Sequence, residues 1–273
     1  MNEPVQDHAL EPMPEQEARE LEDRLWWIQG RKRIIRSYLK TAKTIAPISR
    51  IMDIGCGSGV NFDVLAEFGR VWGCDRSATL AQRARTRGVA QEVYETDVSE
   101  SPDVRQTDIF TLFDVLEHIE HHDEFVARLS RVAPPKHMLL ISVPAYQFLY
   151  SSHDRLLHHY RRYSRSDLRN LVKNNGYDMI RSGHFMFFLF PVALLSRLKE
   201  KLMTQIGRPN TVVNVGIVPN WLNRVLSGLL AVEARISTSV SLPVGLWLFA
   251  LARRTDQEGE PSRRDVAVAK VSS

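Results

Sequence analysis

The sequence predicts a doubly wound α/β sheet, on three observations. Short apolar runs alternate with helix-like runs every twenty to thirty residues between Arg50 and Val143, the pattern of parallel strands joined by right-handed helical crossovers. Three glycines on alternate residues, Gly55, Gly57 and Gly59, separate the first apolar run from the helix-like run after it. A lone acid, Asp75, closes the second apolar run.

Each element follows in order. Leu21, Leu25, Ile28, Ile35 and Leu39 recur at roughly helical spacing, which predicts a helix over Glu15–Lys40 with a break at Gly30. A strand over Arg50–Ile54 precedes the glycines, and a helix over Asn61–Phe68 follows them. Val71–Cys74 reads as the second strand, Ala78–Thr86 as the second helix of the repeat, Gln91–Thr96 and Ile109–Leu112 as strands three and four. The helix predicted over His122–Val132 is stopped by Pro134 and Pro135, before a fifth strand at Met138–Val143. Ser164 precedes a helix over Arg165–Asn174, with Asp167 placed to complete a capping arrangement and Gly176 to end it. Strands near Tyr177–Ser182 and over Leu246–Ala252 bring the sheet to seven. Between them an insertion, about 188–238, holds amphipathic helices around Val192–Met203 and Trp221–Ile236. Residues 15–254 thus form one domain, flanked by an acidic leader at 1–14 and a tail at 255–273, both expected to be disordered.

Composition narrows the function classes. The formal charge is +4 over 273 residues, too small to point to nucleic acid. Its distribution is uneven: residues 181–254 carry nine bases against only Glu200 and Glu233, a basic face suited either to an anionic surface or to solvent. Two cysteines, Cys56 and Cys74, form no disulfide framework and no metal-ligand spacing, which fits a reducing cytoplasm. The N-terminus lacks an apolar signal core. Ile236–Ala252 is uncharged, yet its serines, Pro243 and Gly245 read as a loop and a buried strand, not a membrane span.

In an open α/β sheet a ligand binds beyond the carboxyl ends of the strands, where strand order reverses. Gly55 and Gly57 permit a tight turn there and let a ligand meet bare backbone, while Gly59 lets the helix start close by. Asp75 stands where a carboxylate accepts both ribose hydroxyls. The spacing G-x-G-x-G, with Val60 where a dinucleotide fingerprint has its third glycine, departs from G-x-G-x-x-G. Asp53 just before it either orients the loop or receives a ligand ammonium through water.

At these residues the sequence resembles the class I S-adenosylmethionine-dependent methyltransferases. "DIGCGSG" resembles their first motif, "GCD" the end of their second strand, "ETDV" the end of the third and "FDVLEHI" the fourth-strand region. The resemblance spans about Arg50 to Asp178 and implies a seven-stranded, Rossmann-like methyltransferase sheet that binds S-adenosylmethionine. By that resemblance Asp53, Gly55, Cys56, Gly57 and Gly59 hold the cofactor's amino-acid end, and Asp75 with Arg76 the ribose. Asp97 and Val98 would meet the adenine, with Asp114 and Leu116 completing the set. "WWIQGRKR" upstream and "VPAYQFLYSSHDRLLHHYRRYS" downstream resemble a subgroup associated with glycan and glycolipid assembly.

Methyl transfer is an in-line displacement, so the protein mainly aligns the reactants and excludes water. An oxygen acceptor must also lose a proton, a task that suits histidine. His118, His153 and His159 are the candidate bases, and by the subgroup resemblance, in which the "HD" and "H-RRY" positions recur, Asp154, Arg161, Arg162 and Tyr163 accompany them on the acceptor side; each of these also has a purely structural reading. Asp114, Glu117, His118 and a downstream histidine resemble the E-x-x-E-H plus H metal site of small-RNA 2′-O-methyltransferases, but Asp stands for the first Glu, and no metal is assigned. The acceptor is expected to be a small molecule or a lipid-linked saccharide, methylated at oxygen. A quinone or other prenylated acceptor is the enzymatic alternative; a non-catalytic cofactor-binding module assembling with a membrane partner is the other class. The insertion helices, with Arg197, Lys199, Lys201, Arg208 and Arg224, suit either peripheral docking at the inner face of an anionic membrane or a packed lid.

Overall fold

The computed structural model describes residues 15–205, 218–238 and 240–255. The leader at 1–14 and the tail beyond Thr255 lie outside the described residues, as does Arg208. Strands β1 (Arg50–Ile54), β2 (Arg70–Cys74), β3 (Glu92–Tyr94), β4 (Ile109–Phe113), β5 (Met138–Pro144), β6 (Tyr177–Phe185) and β7 (Trp247–Arg254) form one sheet in the order β3-β2-β1-β4-β5-β7-β6. Strands β1 to β5 pair in parallel, and β7 runs antiparallel between β5 and β6. Strand order reverses between β1 and β4, so the loops after these two strands flank one crevice. The fold class read from the sequence is therefore the one observed.

Helices α1 (Glu15–Arg24), α2 (Trp26–Ile45), α3 (Phe62–Ala66), α4 (Ala78–Thr86), α5 (His122–Val132), α6 (Ser152–Leu156), α7 (Arg165–Asn174), α8 (Phe190–Gln205) and α9 (Asn220–Ile236) complete the described elements. The two faces of the sheet bury separate apolar clusters. Ile34, Ile35, Leu39 of α2 and Leu230, Ala234 of α9 cover one face with Phe62. Phe125, Val126, Leu129 of α5 and Leu168, Leu171, Val172 of α7 cover the other. Ser164 and Asp167 form the expected capping box at the start of α7.

The first helix breaks at Leu25, not at Gly30. Leu25 is extended (φ −60°, ψ 129°), and Asn223 of α9 takes over the bonds that the break gives up. Its Oδ1 accepts the Trp26 N–H at 2.9 Å, and its Nδ2 donates to the Arg24 carbonyl at 3.0 Å. Gly30 lies inside α2 because α9 crosses there: a Cβ would stand 2.4 Å from Leu230 Cδ1. Among the described residues no helix is long and apolar enough to cross a membrane, and Ile236–Ala252 is the end of α9, a loop and most of β7.

Candidate functional site

The chain after β1 turns on three left-handed glycines, with φ of 62° at Gly55, 56° at Gly57 and 73° at Gly59. Only glycine occupies that region without strain. At Gly57 an added Cβ would meet nothing within 4 Å, so its backbone faces open space. At Gly55 a Cβ would lie 2.7 Å from Val115 Cγ2, which sets this loop directly against the loop after β4. Gly59 packs instead on the Phe62 ring and Ala84, so its tolerance serves α4 and α3 rather than the strand.

Asp75, at the end of β2, fixes the loop. Its Oδ2 accepts the Gly57 N–H at 2.8 Å and its Oδ1 the Ser77 N–H at 2.9 Å. A carboxylate has about four acceptor directions, so capacity remains for hydroxyls. Asp53 is buried; Thr111 donates to its Oδ1 at 2.5 Å, and its Oδ2 finds no hydrogen-bond partner among the described residues. Burial pushes the Asp53 carboxyl up to about 7, against the Thr111 bond and the Arg31 charge. A ligand cation near Oδ2 would return it to the ionised form. The open backbone at Gly57 and the unpaired Asp53 oxygen both fit the amino-acid end of S-adenosylmethionine, and Asp75 fits its ribose.

The other expected cofactor residues are placed less uniformly. Asp97 caps the turn at Val98–Glu100 through the Ser99 N–H and pairs with Arg128 at 2.9 Å, and Val98 is buried. Arg76 is exposed beside Asp75. Cys56 is buried with its sulfur against Gly73, its N–H bonded to the Cys74 carbonyl, and burial raises its thiol. Leu116 is fully buried, and its carbonyl accepts the Tyr163 hydroxyl. Asp114 takes a left-handed φ of 58° and its carboxylate is already engaged. Oδ2 accepts Arg31 Nη1 at 2.6 Å, and Oδ1 accepts the Ser142 hydroxyl at 3.1 Å and Trp247 Nε1 at 2.9 Å.

Sequence reading missed the clasp over the glycine loop. Glu22 of α1 accepts the Ser58 hydroxyl, while Arg87 bonds the Ser58 carbonyl, Glu22 and Asp23 together. Lys32 joins Asp23 to Asp63. Glu22 and Asp23 read in sequence only as polar positions of the first helix, and only the fold reveals Arg87 opposite them. Arg31, stacked 5.0 Å from Trp27, and Lys32 are committed to this docking.

Beyond β4 and β5 three groups converge. One ligand atom each from Glu117, His118 and His159 lie within 4.8 Å of one another, and the two imidazoles meet edge to face at 4.6 Å. Tyr160 N–H donates to the Glu117 carbonyl at 2.8 Å, joining the segment after α6 to the turn after β4. His158 is left-handed (φ 56°), which redirects the chain into His159. Buried Asp154 accepts His159 Nδ1 at 3.0 Å and Arg162 Nε at 2.7 Å. Its carboxyl lies well below the usual range because these bonds outweigh its burial. His118 keeps one exposed edge, but the protein packed around the rest of its ring and the neighbouring His159 hold it down, to about 4, so it is neutral at pH 7. Glu117 is buried with both oxygens unpaired, and burial, then Asp114, drives its pKa well up. Asp114 does not join this cluster, contrary to the D-x-x-E-H grouping. His153 is exposed on α6, Tyr163 is a buried strut and Arg161 bonds the Glu120 carbonyl.

A family model described as "Methyltransferase domain" matches residues 26–188, more than half of the chain. A Mycolicibacterium smegmatis protein described as "Probable S-adenosylmethionine-dependent methyltransferase" is 26% identical over 133 residues, 47% of this chain and 52% of that one. The ubiquinone biosynthesis O-methyltransferase of Rhodopseudomonas palustris is 28% identical over 114 residues, 39% of this chain and 45% of that one. The chain thus spans about half the length of these curated relatives. The crystal structure of the YcgJ protein from Bacillus subtilis shares the fold with a TM-score of 0.50 at 17% identity, covering 81% of this chain and 98% of that one.

Proposed function

The chain belongs to the methyltransferase-domain family, whose methyl donor is S-adenosylmethionine, and from that premise we propose that it methylates an oxygen of a small-molecule or lipid-linked saccharide acceptor. Bound S-adenosylmethionine supplies a methyl carbon made electrophilic by its sulfonium. The protein's part is to hold, orient and dehydrate. In this reading the Gly57 backbone and Asp53 take the amino-acid end, Asp75 the ribose, and Asp97 with Val98 the adenine. The clasp of Glu22, Arg87 and Lys32 keeps the loop in its open-backbone form.

One observation carries the oxygen assignment. The Glu117–His118–His159 corner begins two residues after Val115, which packs on Gly55, so proton-handling groups adjoin the cofactor loop. An attacking hydroxyl must lose its proton as the new bond forms, and imidazole and carboxylate groups beside it can take that proton. The polar, histidine-lined corner is therefore where the acceptor oxygen is held.

The lipid-linked part rests on the insertion. Val192, Leu195 and Leu198 of α8 and Trp221 and Val225 of α9 are all more than half exposed, beside exposed Lys199 and Arg224. This apolar and basic face suits peripheral docking at the cytoplasmic face of an anionic membrane. The ubiquinone-pathway relative favours a prenylated quinone as the second acceptor class. Incubation with methyl-tritiated S-adenosylmethionine and separated aqueous and lipid extracts should move label into one fraction, with mass spectrometry placing it on oxygen. Label on nitrogen or carbon, or in neither fraction, overturns the reading.

A further inference from the structure

We infer that Glu117, His118 and His159 form a binding site for one divalent first-row transition cation, of the zinc or manganese class, at the acceptor end of the cleft. Their three ligand atoms already lie within 4.8 Å of one another. They come from two segments 41 residues apart in sequence, joined by the Tyr160–Glu117 backbone bond.

Three features separate this cluster from an incidental meeting of polar side chains. Glu117 is 1% exposed, and neither carboxylate oxygen has a hydrogen-bond partner among the described residues. Such a group costs stability unless something fills the vacancy in its coordination. The His159 imidazole, moreover, is held at one side by a hydrogen-bond acceptor. Asp154 takes His159 Nδ1 at 3.0 Å. That bond leaves Nε2 of the His159 ring with its lone pair outward, the orientation that carboxylate partners impose on metal-binding histidines. Finally, Asp154 is itself locked by Arg162, Ser151 and the Ser151 N–H, so the support is rigid.

Two imidazoles and one carboxylate suit zinc, manganese, cobalt or iron(II) better than magnesium or calcium, which prefer oxygen. His118 is exposed, so solvent or an acceptor oxygen has room to complete the coordination. The role rests on the methyl-transfer reading. A hydroxyl oxygen entering an open position releases its proton to solvent at lower pH. That oxygen's electron pair then forms the new C–O bond as the C–S bond breaks and its pair stays on sulfur.

The test loads the full chain with cobalt(II) alone, as a spectroscopic stand-in, and separately with zinc or manganese. After desalting, elemental analysis should find one ion per chain, and the cobalt form should show visible ligand-field bands. Glu117→Gln and His159→Ala should lose both signals. Asp154→Asn, which keeps all three ligands, should weaken affinity roughly 10–100-fold. S-adenosylhomocysteine should raise the melting temperature of every variant, which checks folding and the cofactor site independently of the metal. No retained ion in the wild type, or equal retention in Glu117→Gln and His159→Ala, overturns the site. Loss of the S-adenosylhomocysteine shift in the wild type would instead overturn the methyltransferase reading.

Discussion

Replacing Asp75 by alanine tests the cofactor site at its most connected point. The carboxylate accepts the Gly57 and Ser77 N–H groups at 2.8 and 2.9 Å, and in the proposed complex it also accepts the ribose hydroxyls. A hydrogen bond to a charged group contributes about 1.5–3 kcal/mol. Asp75 is only half-buried, so the lower figure applies, and two ribose bonds amount to about 3 kcal/mol, roughly a hundredfold in Kd. Freeing the Gly57 N–H also lets the loop leave its open form, so this is a lower bound. At S-adenosylhomocysteine a hundred times the wild-type Kd, binding adds about 2.7 kcal/mol to wild-type stability. It adds only about 0.4 kcal/mol to a variant bound a hundredfold more weakly. Calorimetric titration should therefore show the weakened Kd, and the ligand-dependent rise in melting temperature should nearly vanish. NAD should produce no shift in either protein. A folded Asp75→Ala chain that binds S-adenosylhomocysteine with unchanged Kd would remove Asp75 from the site and refute the placement of the ribose.

Gly57→Val should abolish S-adenosylhomocysteine binding in titration while the fold persists, because the new side chain would enter the space open to the ligand and strain a φ of 56°. His137 provides a pH test: it is buried, its Nδ1 bonds the Pro134 carbonyl, Nε2 meets the Tyr177 hydroxyl, and burial lowers its pKa to about 4. Its folded pKa lies below the unfolded value of about 6.5, so its stabilising contribution is full above about 6.5. That contribution falls by about 1.4 kcal/mol per pH unit down to about 4; urea titrations should show this slope, reduced in His137→Gln. The protein should sediment with anionic vesicles at low salt and be released as salt rises. Lys199→Glu with Arg224→Glu should weaken that sedimentation without altering cofactor affinity, and indifference of the wild type to anionic vesicles would make α8 and α9 a lid. Arg197 is left out of that set because it pairs with Glu200, which accepts the Ser152 N–H.

The parts of this molecule that were legible in the sequence are those written within a single strand–turn–helix unit. Strand alternation, the glycine turn and Asp75 all depend on residues within one local span, so their spacing carries their geometry. Helix ends set by local chemistry were equally plain, as the Ser164–Asp167 box shows. Features decided by a distant partner were not. Glycine's poor helix propensity placed a break at Gly30, yet the close approach of Leu230, 200 residues on, makes glycine the residue that fits inside α2. The true break at Leu25 depends on Asn223, equally remote. Asp114 stands where the resembling metal motif has its first Glu, but Arg31, Ser142 and Trp247, from three other elements, take its oxygens instead.

The same distinction explains how the two halves of the candidate site are tied together. The cofactor loop and the histidine corner meet through Val115 packed on Gly55. Arg31 of α2 anchors Asp114, one residue before Val115. Lys32, next along that helix, anchors Asp23 beside the clasp on Ser58. Adjacent residues of α2 thus brace both sides of the crevice. Loss of Arg31 would leave the buried side of Asp114 with an unpaired charge and loosen the turn carrying Glu117 and His118, while the Asp75–Gly57 bond stayed intact. Arg31→Met should consequently lower turnover with the acceptor far more than it weakens S-adenosylhomocysteine binding. Equal losses in both measurements would mean that the two halves of the site are not separately braced.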